Sequence, residues 1–394
     1  MKIKILLGML FSLAAMAVSG CGGGGGGTQP TIVSGTAMKG QFSSGTVKIF
    51  AVDLTTGAKA ATPLKTDVLT ATGTFSVDVS PHTGPIIVEV SGTYKDEATG
   101  LNATIADATP IRAAVVAAGS TPAMVTPLTE LALKKAGAVL TAAVITKANA
   151  DISTLFKVDN IVATKPVDAT TAASATAAAS EKNYSLALAT VSQIMKSSSI
   201  TLGQTLDGLA AEINTSASTP TMTTAASTTI KVAMSEFMES ANNKTGVTDV
   251  ATIPFSAATP KVALLKISTS GLAAGGTIGA IEFTMDLPAT VSVGADATTK
   301  QVEDGAVVVS GVAATGTSIS LATFDAQKLR TMLVNANGFG GGEFVTVGCD
   351  MASGSTVTAA TLQSAVSSAT ITSATDLTGT PISGLTLTGT VKIF

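Results

Sequence analysis

The sequence predicts a mainly β chain with a helical insert: a small N-terminal β-sandwich, a central helical bundle and a larger C-terminal β-sandwich. Three observations predict it. Apolar and polar residues alternate in short runs from Ile32 to about Ala106, apolar residues recur at helical spacing across 123–243, and alternation returns at Lys261. The predicted divisions are a signal segment over 1–20, a tether over 21–30, a sandwich over 31–122, a bundle over 123–243, a linker over 244–260 and a second sandwich over 261–394.

The first segment carries Lys2 and Lys4, an uncharged apolar run from Ile5 to Val18, then Ser19 and Gly20 before Cys21. The run is shorter than the roughly 20 apolar residues of a spanning helix, and the order basic, apolar, small is that of a cleaved export signal. The quartet Val18-Ser19-Gly20-Cys21 resembles the lipobox of bacterial lipoproteins. That resemblance implies that Cys21 becomes the lipidated first residue, the chain's anchor in a membrane. Lipoproteins kept at the inner membrane commonly carry Asp after the Cys, so Gly22 implies an outer-membrane or cell-surface location. Six glycines, Gly22 to Gly27, follow. Without side chains they can neither bury apolar surface nor hold a fixed backbone, and they read as a flexible tether.

Beyond the signal about 370 residues remain, enough for two or three domains. Only 12% of residues are charged and the net charge is −3, so no basic patch is available to neutralise phosphates and no nucleic-acid partner is expected. The mean hydropathy of +0.47 comes from Ala and Val in short segments, with no long apolar run after Val18. If Cys21 carries lipid, Cys349 has no cysteine to pair with, and the domains must stand on their cores.

In the first sandwich the clearest strands are Thr46 to Val52, Thr74 to Val79 and Pro85 to Val90, with Phe75, Val77 and Val79 facing inward and Ser76, Asp78 and Ser80 outward. Gly35, Gly45, Gly57, Gly73, Gly84, Gly92 and Gly100 separate the segments. Val33-Ser34-Gly35, Val47-Lys48-Ile49-Phe50, Thr72-Gly73-Thr74-Phe75 and Val88-Glu89-Val90-Ser91-Gly92 resemble the carboxypeptidase-regulatory-like, or prealbumin-like, β-sandwich. These residues are fold signatures without chemistry.

The period changes at Val125. Thr126 suits a helix N-cap and Pro127 the first helical position, where a missing N–H costs nothing. Five apolar series follow: Leu128, Leu131, Ala132, Ala136 and Val139; Ile145, Ala148, Ile152, Leu155 and Phe156; Tyr184, Leu188, Val191 and Met195; Leu202, Leu206, Leu209 and Ile213; Ile230, Met234, Phe237, Met238 and Ala241. They predict an antiparallel bundle, with loops at Ala163 to Ser180 and Thr215 to Thr229. The Thr126 to Ala132 segment, with Ala148 to Ile152 and Tyr184 to Leu188, resembles a helical region that often follows such sandwiches in bacterial lipoproteins.

From Lys261 about nine strands in about 130 residues predict the second sandwich. They begin with Val262 to Ile267 and Ile278 to Met285, continue through Val307 to Val309, Ile319 to Phe324, Met332 to Asn335 and Phe344 to Asp350, and end with Leu385 to Ile393. The run Ile281 to Pro288, the glycine-bounded Gly305 to Gly311, Leu333-Val334-Asn335 and Glu343 to Val347 resemble the jelly-roll-like cohesin family over about a third of the chain. This implies protein binding through a strand face, with a dockerin-like partner.

No catalytic, cofactor-binding or metal residue is predicted, and the chain reads as no enzyme. The single histidine, His82, lies between prolines in a turn, whereas zinc sites draw on several His or Cys. No Gly-x-Ser-x-Gly elbow occurs. The glycine clusters at Gly275 to Gly279 and Gly338 to Gly342 run into strands and lack the helix a phosphate loop needs. Asp96-Glu97 and Glu303-Asp304 read as solvated turns in preference to calcium sites. Cys349 reads as a buried inert thiol. With no Trp, and Tyr184 on a helix face, only Tyr94 is left as an aromatic platform for sugars. The leading expectation is a non-catalytic, surface-tethered lipoprotein whose C-terminal β-sandwich mediates protein interaction or structural assembly. The alternative is a carbohydrate-binding accessory protein for polysaccharide degradation.

Overall fold

A computed structural model describes residues 29–248, 261–303 and 305–393, with backbone alone at 224 and 225. The described chain is mainly β, with nineteen strands and six α-helices. Cys21, the signal, most of the tether and most of the predicted linker lie outside the described residues.

The first strands are β1 (Ile32–Thr36), β2 (Gln41–Ala51), β3 (Lys65–Val68), β4 (Thr74–Asp78), β5 (Gly84–Lys95), β6 (Asn102–Ile105), β7 (Ile111–Ala117) and β8 (Ser120–Pro122). They form a sheet ordered β4-β1-β8 and a sheet ordered β3-β2-β5-β6, with β7 also on β5. Val33, Phe42, Val47, Ile49, Phe75, Val77, Val88 and Val90 fill the core between them. Phe75, Val77 and Val79 are buried while Ser76, Asp78 and Ser80 are exposed, as the alternation predicts. The one parallel pairing here sets β8 beside β1, continued by a bridge from Ala37 to Val125. Residues 123–125 therefore pack with the strands, not the helices. Ala123 lies so close that a Cβ on Gly35 would meet its carbonyl oxygen at 1.9 Å.

The helices are α1 (Pro127–Ala136), α2 (Ala142–Phe156), α3 (Ala179–Ser198), α4 (Leu202–Glu212) and α5 (Thr224–Glu239). Thr126 caps α1 by accepting from the Thr129 N–H, with the reciprocal bond from the Thr126 N–H to the Thr129 hydroxyl, and Pro127 opens the helix. Gly137 at φ 79° ends it, so Val139, placed on the helix by periodicity, is instead exposed beyond it. The predicted 215–229 loop is shorter than expected. Thr223 caps α5 from its hydroxyl, and strands β9 (Ile213–Asn214) and β10 (Thr221–Met222) pair before it. Likewise α3 begins at Ala179, inside the predicted 163–180 loop. Leu128, Leu131, Ile152, Phe156, Tyr184, Leu188, Leu206 and Ile230 form the helical core.

This helical layer is seamed to strands on two sides. On the N-terminal side Leu133, Leu140 and Ile145 cover Val52, Ile87 and Ala114 on the outer face of the β5 sheet. Arg112 on β7 grips Glu130 on α1 with two hydrogen bonds of 2.9 and 2.6 Å. Strand β5 is therefore buried on both faces.

The C-terminal strands are β11 (Lys261–Ser270), β12 (Ile278–Asp286), β13 (Val291–Ser292), β14 (Val307–Val309), β15 (Ser318–Asp325), β16 (Lys328–Phe339), β17 (Gly342–Met351), β18 (Thr370–Thr375) and β19 (Thr386–Ile393). Helix α6 (Ala359–Ser367), which the sequence reading did not foresee, precedes β18. One sheet runs β13-β17-β11-β19 with β14 also on β17, and the other runs β15-β16-β12-β18. Leu265, Ile267, Phe283, Leu333, Phe344 and Val347 belong to the core they share.

The far face of β11 forms the second seam. Val262 and Leu264 pack with Leu186, Ala189, Val232, Phe237 and Met238 of α3 and α5. A Cβ on Gly348 of β17 would strike the Val232 side chain at 2.0 Å, so only glycine lets α5 approach this closely. Residues 244–248 are tied down as well: the Lys244 N–H donates to Ala169 O, and Thr245 is fully buried.

Candidate functional site

Each seam holds a buried lysine. Lys39, in the turn between β1 and β2, is 0% exposed. Its Nζ lies 2.9 Å from Asp96 Oδ2, 3.4 Å from Glu97 Oε2 and 2.5 Å from the Ser192 hydroxyl of α3, and 5.1 Å from the Tyr94 ring centre. Ser192 in turn donates to Glu97 at 2.6 Å, and Glu97 also accepts from the Gly40 N–H at 2.7 Å. Burial alone would lower the Lys39 ammonium, but Glu97, Tyr94 and Asp96 outweigh it and hold the pKa above the ordinary lysine value. Burial would raise Asp96, yet Lys39 and the Thr99 hydrogen bonds hold its carboxyl below the usual range.

This corrects the expectation that Asp96-Glu97 is a solvated turn. Both residues are buried, because the turn is docked on α3 and the Asn242 side chain caps the Glu97 carbonyl. The turn itself follows a recurring rule. In Asp53 to Gly57, Asp96 to Gly100, Asp296 to Lys300 and Asp376 to Thr380, the leading Asp Oδ1 accepts main-chain N–H groups two to four residues on. A repeated Asp-x-x-Thr spacing was the available signal for the first three.

At the second seam, Lys231 of α5 stands 3.5 Å from Asp350 Oδ1 of β17, and Asp350 Oδ2 accepts from the Thr228 hydroxyl. Here burial lowers the lysine's pKa more than Asp350 raises it. Among the described residues, Ser227 Oγ, Ser235 Oγ and Glu303 Oε2 are buried without hydrogen-bond partners.

Beside this seam lies a cleft of about 1180 Å³ between the ends of α3, α4 and α5 and the edges of β14 and β15. Glu212, Glu236, Glu239, Glu303 and Glu343 line it, with Lys196 and Lys266. Lys266 is paired with Glu239 at 3.1 Å, and Lys196 donates to Ala98 O at 3.3 Å. Burial raises Glu236, against hydrogen bonds from Gln193 and Ser197. Burial raises Glu303, reinforced by repulsion from Glu212, Asp350 and Asp296. Glu303 is thus no solvated turn residue, while its neighbour Asp304 lies outside the described residues.

Next to the cleft, the outer face of the β15–β16 hairpin carries an exposed apolar strip. Ile319 lies opposite Val334 and Leu321 opposite Met332, and the four are 39–62% exposed.

No family model, curated protein or solved structure matches the chain. The site is therefore argued from its own groups.

No cluster of three or more His, Cys, Asp or Glu able to hold a metal ion occurs among the described residues. His82 is half-buried in the turn between β4 and β5, its main-chain N–H donating to Val79 O, and its Nε2 has no hydrogen-bond partner among the described residues. Cys349 sits on β17 with its side chain in the core, and burial, helped by Asp350, pushes the thiol well above its usual pKa. Tyr94 is buried beside Lys39, and Tyr184 is buried in the helical core, where its hydroxyl donates to Ile161 O. The glycine clusters lead into β12 and β17. Among the described residues, none of the candidate chemical groups singled out in the sequence meets another at a reactive distance. The groups that do converge, on the cleft and the strip, were missed: the glutamates come from four separate elements, and Ile319 and Leu321 read as ordinary strand residues.

Proposed function

We propose that the chain is an exported, non-catalytic lipoprotein, held by Cys21 at an outer membrane or cell surface. It mediates protein interaction or structural assembly through its C-terminal β-sandwich. On this reading 31–122 is a prealbumin-like module, the helices form a packed spacer, and 261–394 is a cohesin-like module.

The exposed strip of Ile319, Leu321, Met332 and Val334 carries the reading. A half-buried antiparallel sheet keeps polar residues on its solvent face, and here four large apolar side chains stand together at the middle of a hairpin. Such a patch serves a partner that covers it. A polysaccharide-binding role has less support, since the chain has no Trp and both tyrosines are buried.

The test combines anchoring and capture. Cys21→Ala is expected to move the protein from membrane to soluble fractions. Leu321→Lys with Met332→Lys is expected to abolish crosslinking to a surface partner while the melting curve stays unchanged. Crosslinking that survives both lysines would refute the sheet-face reading.

A further inference from the structure

We propose that the free edge of β15 takes up an extended segment of a partner protein as an added strand, and that this segment alternates apolar with basic residues. The inference rests on the protein-interaction reading above, but it places the contact on the strand edge and extends it into the cleft.

The direction of the main-chain groups comes from the hydrogen bonds already made on that edge. Val302 N donates to Ala322 O, and Phe324 N donates to Lys300 O, each at 2.9 Å. Even-numbered residues of β15 therefore turn their N–H and C=O away from β16. The covering segment then departs, since the Glu303 N–H is bonded to Gly294 O. By the two-residue period, the main-chain groups of Ser318 and Ser320 point the same way, past the end of that cover and into the cleft. At about 3.3 Å per residue, Ser318 to Leu321 offers about 13 Å of edge, enough for a short added strand. No proline, lysine or bulge blunts it.

Side-chain alternation fixes the chemistry of the segment. Residues added in line with Ile319 and Leu321 emerge on the outer face and extend the apolar strip. Those in line with Ser318 and Ser320 enter the cleft. There Glu212 and Glu303 lie close enough to repel each other, and Glu343 attracts Lys266 only from beyond ion-pair distance, because Lys266 is held by Glu239 at 3.1 Å and Lys196 donates to a carbonyl. Glu303 Oε2 is buried and unbonded. Arg or Lys on the incoming strand would meet these carboxylates, and the main chain would supply the rest of the affinity.

The experiment uses the full chain in detergent and a labelled peptide alternating Val and Lys, beside a peptide of the same composition with Val and Lys in separate blocks. Saturable binding of the alternating peptide is expected, with slowed amide exchange at Ser318 to Leu321. Ser320→Pro removes an N–H that the β16 ladder does not use, and is expected to weaken binding about tenfold. Glu303→Gln with Glu343→Gln should weaken it less and flatten its salt dependence. Equal binding of both peptides, or unchanged amide exchange in the unmutated chain, would overturn the proposal. If Leu321→Lys with Met332→Lys abolishes crosslinking to the partner but Ser320→Pro does not, the edge is wrong and the sheet-face reading stands.

Discussion

The two seams of the helical layer solve one problem, a lysine buried between helix and strand, in opposite ways. Around Lys39 each charge has several partners: two carboxylates, a hydroxyl and an aromatic face, with the carboxylates bonded in turn to main-chain N–H groups. Around Lys231 the Asp350 carboxylate stands farther off, at 3.5 Å, and among the described residues the buried hydroxyls of Ser227 and Ser235 have no hydrogen-bond partners. The first lysine is held above its ordinary pKa, and the second below. A satisfied polar cluster fixes one arrangement, whereas an under-satisfied one leaves a place where the interface opens. The cleft lies at the under-satisfied seam.

The largest expected effect breaks the comparison at its centre. Replacing Lys39→Met with Asp96→Asn still leaves Glu97 buried without its cation, and should cost about 3–5 kcal/mol in urea unfolding. Lys231→Met with Asp350→Asn removes both charges of the ion pair together and should change stability by no more than about 1 kcal/mol. Equal losses at both seams would contradict the distinction.

Steric tests come next. Gly35→Ala drives a methyl into the Ala123 carbonyl, a main-chain atom pinned between strands, and should cost about 3 kcal/mol. Gly348→Ala meets the buried, β-branched Val232 side chain, which can give only if α5 shifts as a whole, so about 2 kcal/mol is expected, with faster proteolysis between Ser240 and Lys261. A costlier Gly348→Ala would mean that the α5 seam is the more rigid one.

Acid should separate the seams by sign. Asp96 has a lowered pKa, so its contribution is present above the ordinary aspartate value of about 3.9 and is lost as pH falls through the lower folded value. Glu236 and Glu303 have raised values, so ionising them costs stability at neutral pH, and that cost disappears as pH falls toward about 4.5. Amide protection in α5 should therefore rise on mild acidification, and protection around Asp96 should fall only below about pH 4. Glu236→Gln should flatten the rise. Loss of α5 protection above pH 5, with Asp96 unaffected, would reverse the assignment.

The smallest effect is a rate. Cys349 should resist alkylation in the folded chain and react in urea, since its thiol is fully buried and hard to ionise. Labelling at the rate of an unfolded control would mean that the C-terminal sheets part readily.

Periodicity made the elements legible: Phe75, Val77 and Val79 on one face, Thr126 and Pro127 at a helix start, and the return to alternation at Lys261 all appear in the structure. What the sequence hid lies between elements. Asp96-Glu97 reads as a solvated turn because burial there comes from α3, roughly 95 residues away in sequence, and local pattern carries no record of that contact. Helix α6, with its Thr358 cap, lies in a stretch of Ala, Ser and Thr whose only fully buried large side chains are Leu362 and Val366. The cleft glutamates come from α4, α5, the loop before β14 and the start of β17, so no spacing rule gathers them. Val262 and Leu264 show the same limit. The 261–394 segment reads as self-contained by alternation, yet these two side chains would be stripped of their helical cover in isolation, at about 1.5–3 kcal/mol each.

Strand β1 has a mechanical consequence. It lies between β4, antiparallel to it over Ile32 to Thr36, and β8, parallel to it over Ile32 to Ser34. A pull transmitted through the residues before Ile32 runs along the strand axis, so both ladders are loaded in shear and their hydrogen bonds must yield together. The same pull on a hairpin end would unzip them one at a time. The strand that follows the glycine run is thus placed to resist tension, and the parallel bridge from Ala37 to Val125 passes the load directly to the start of the helical layer.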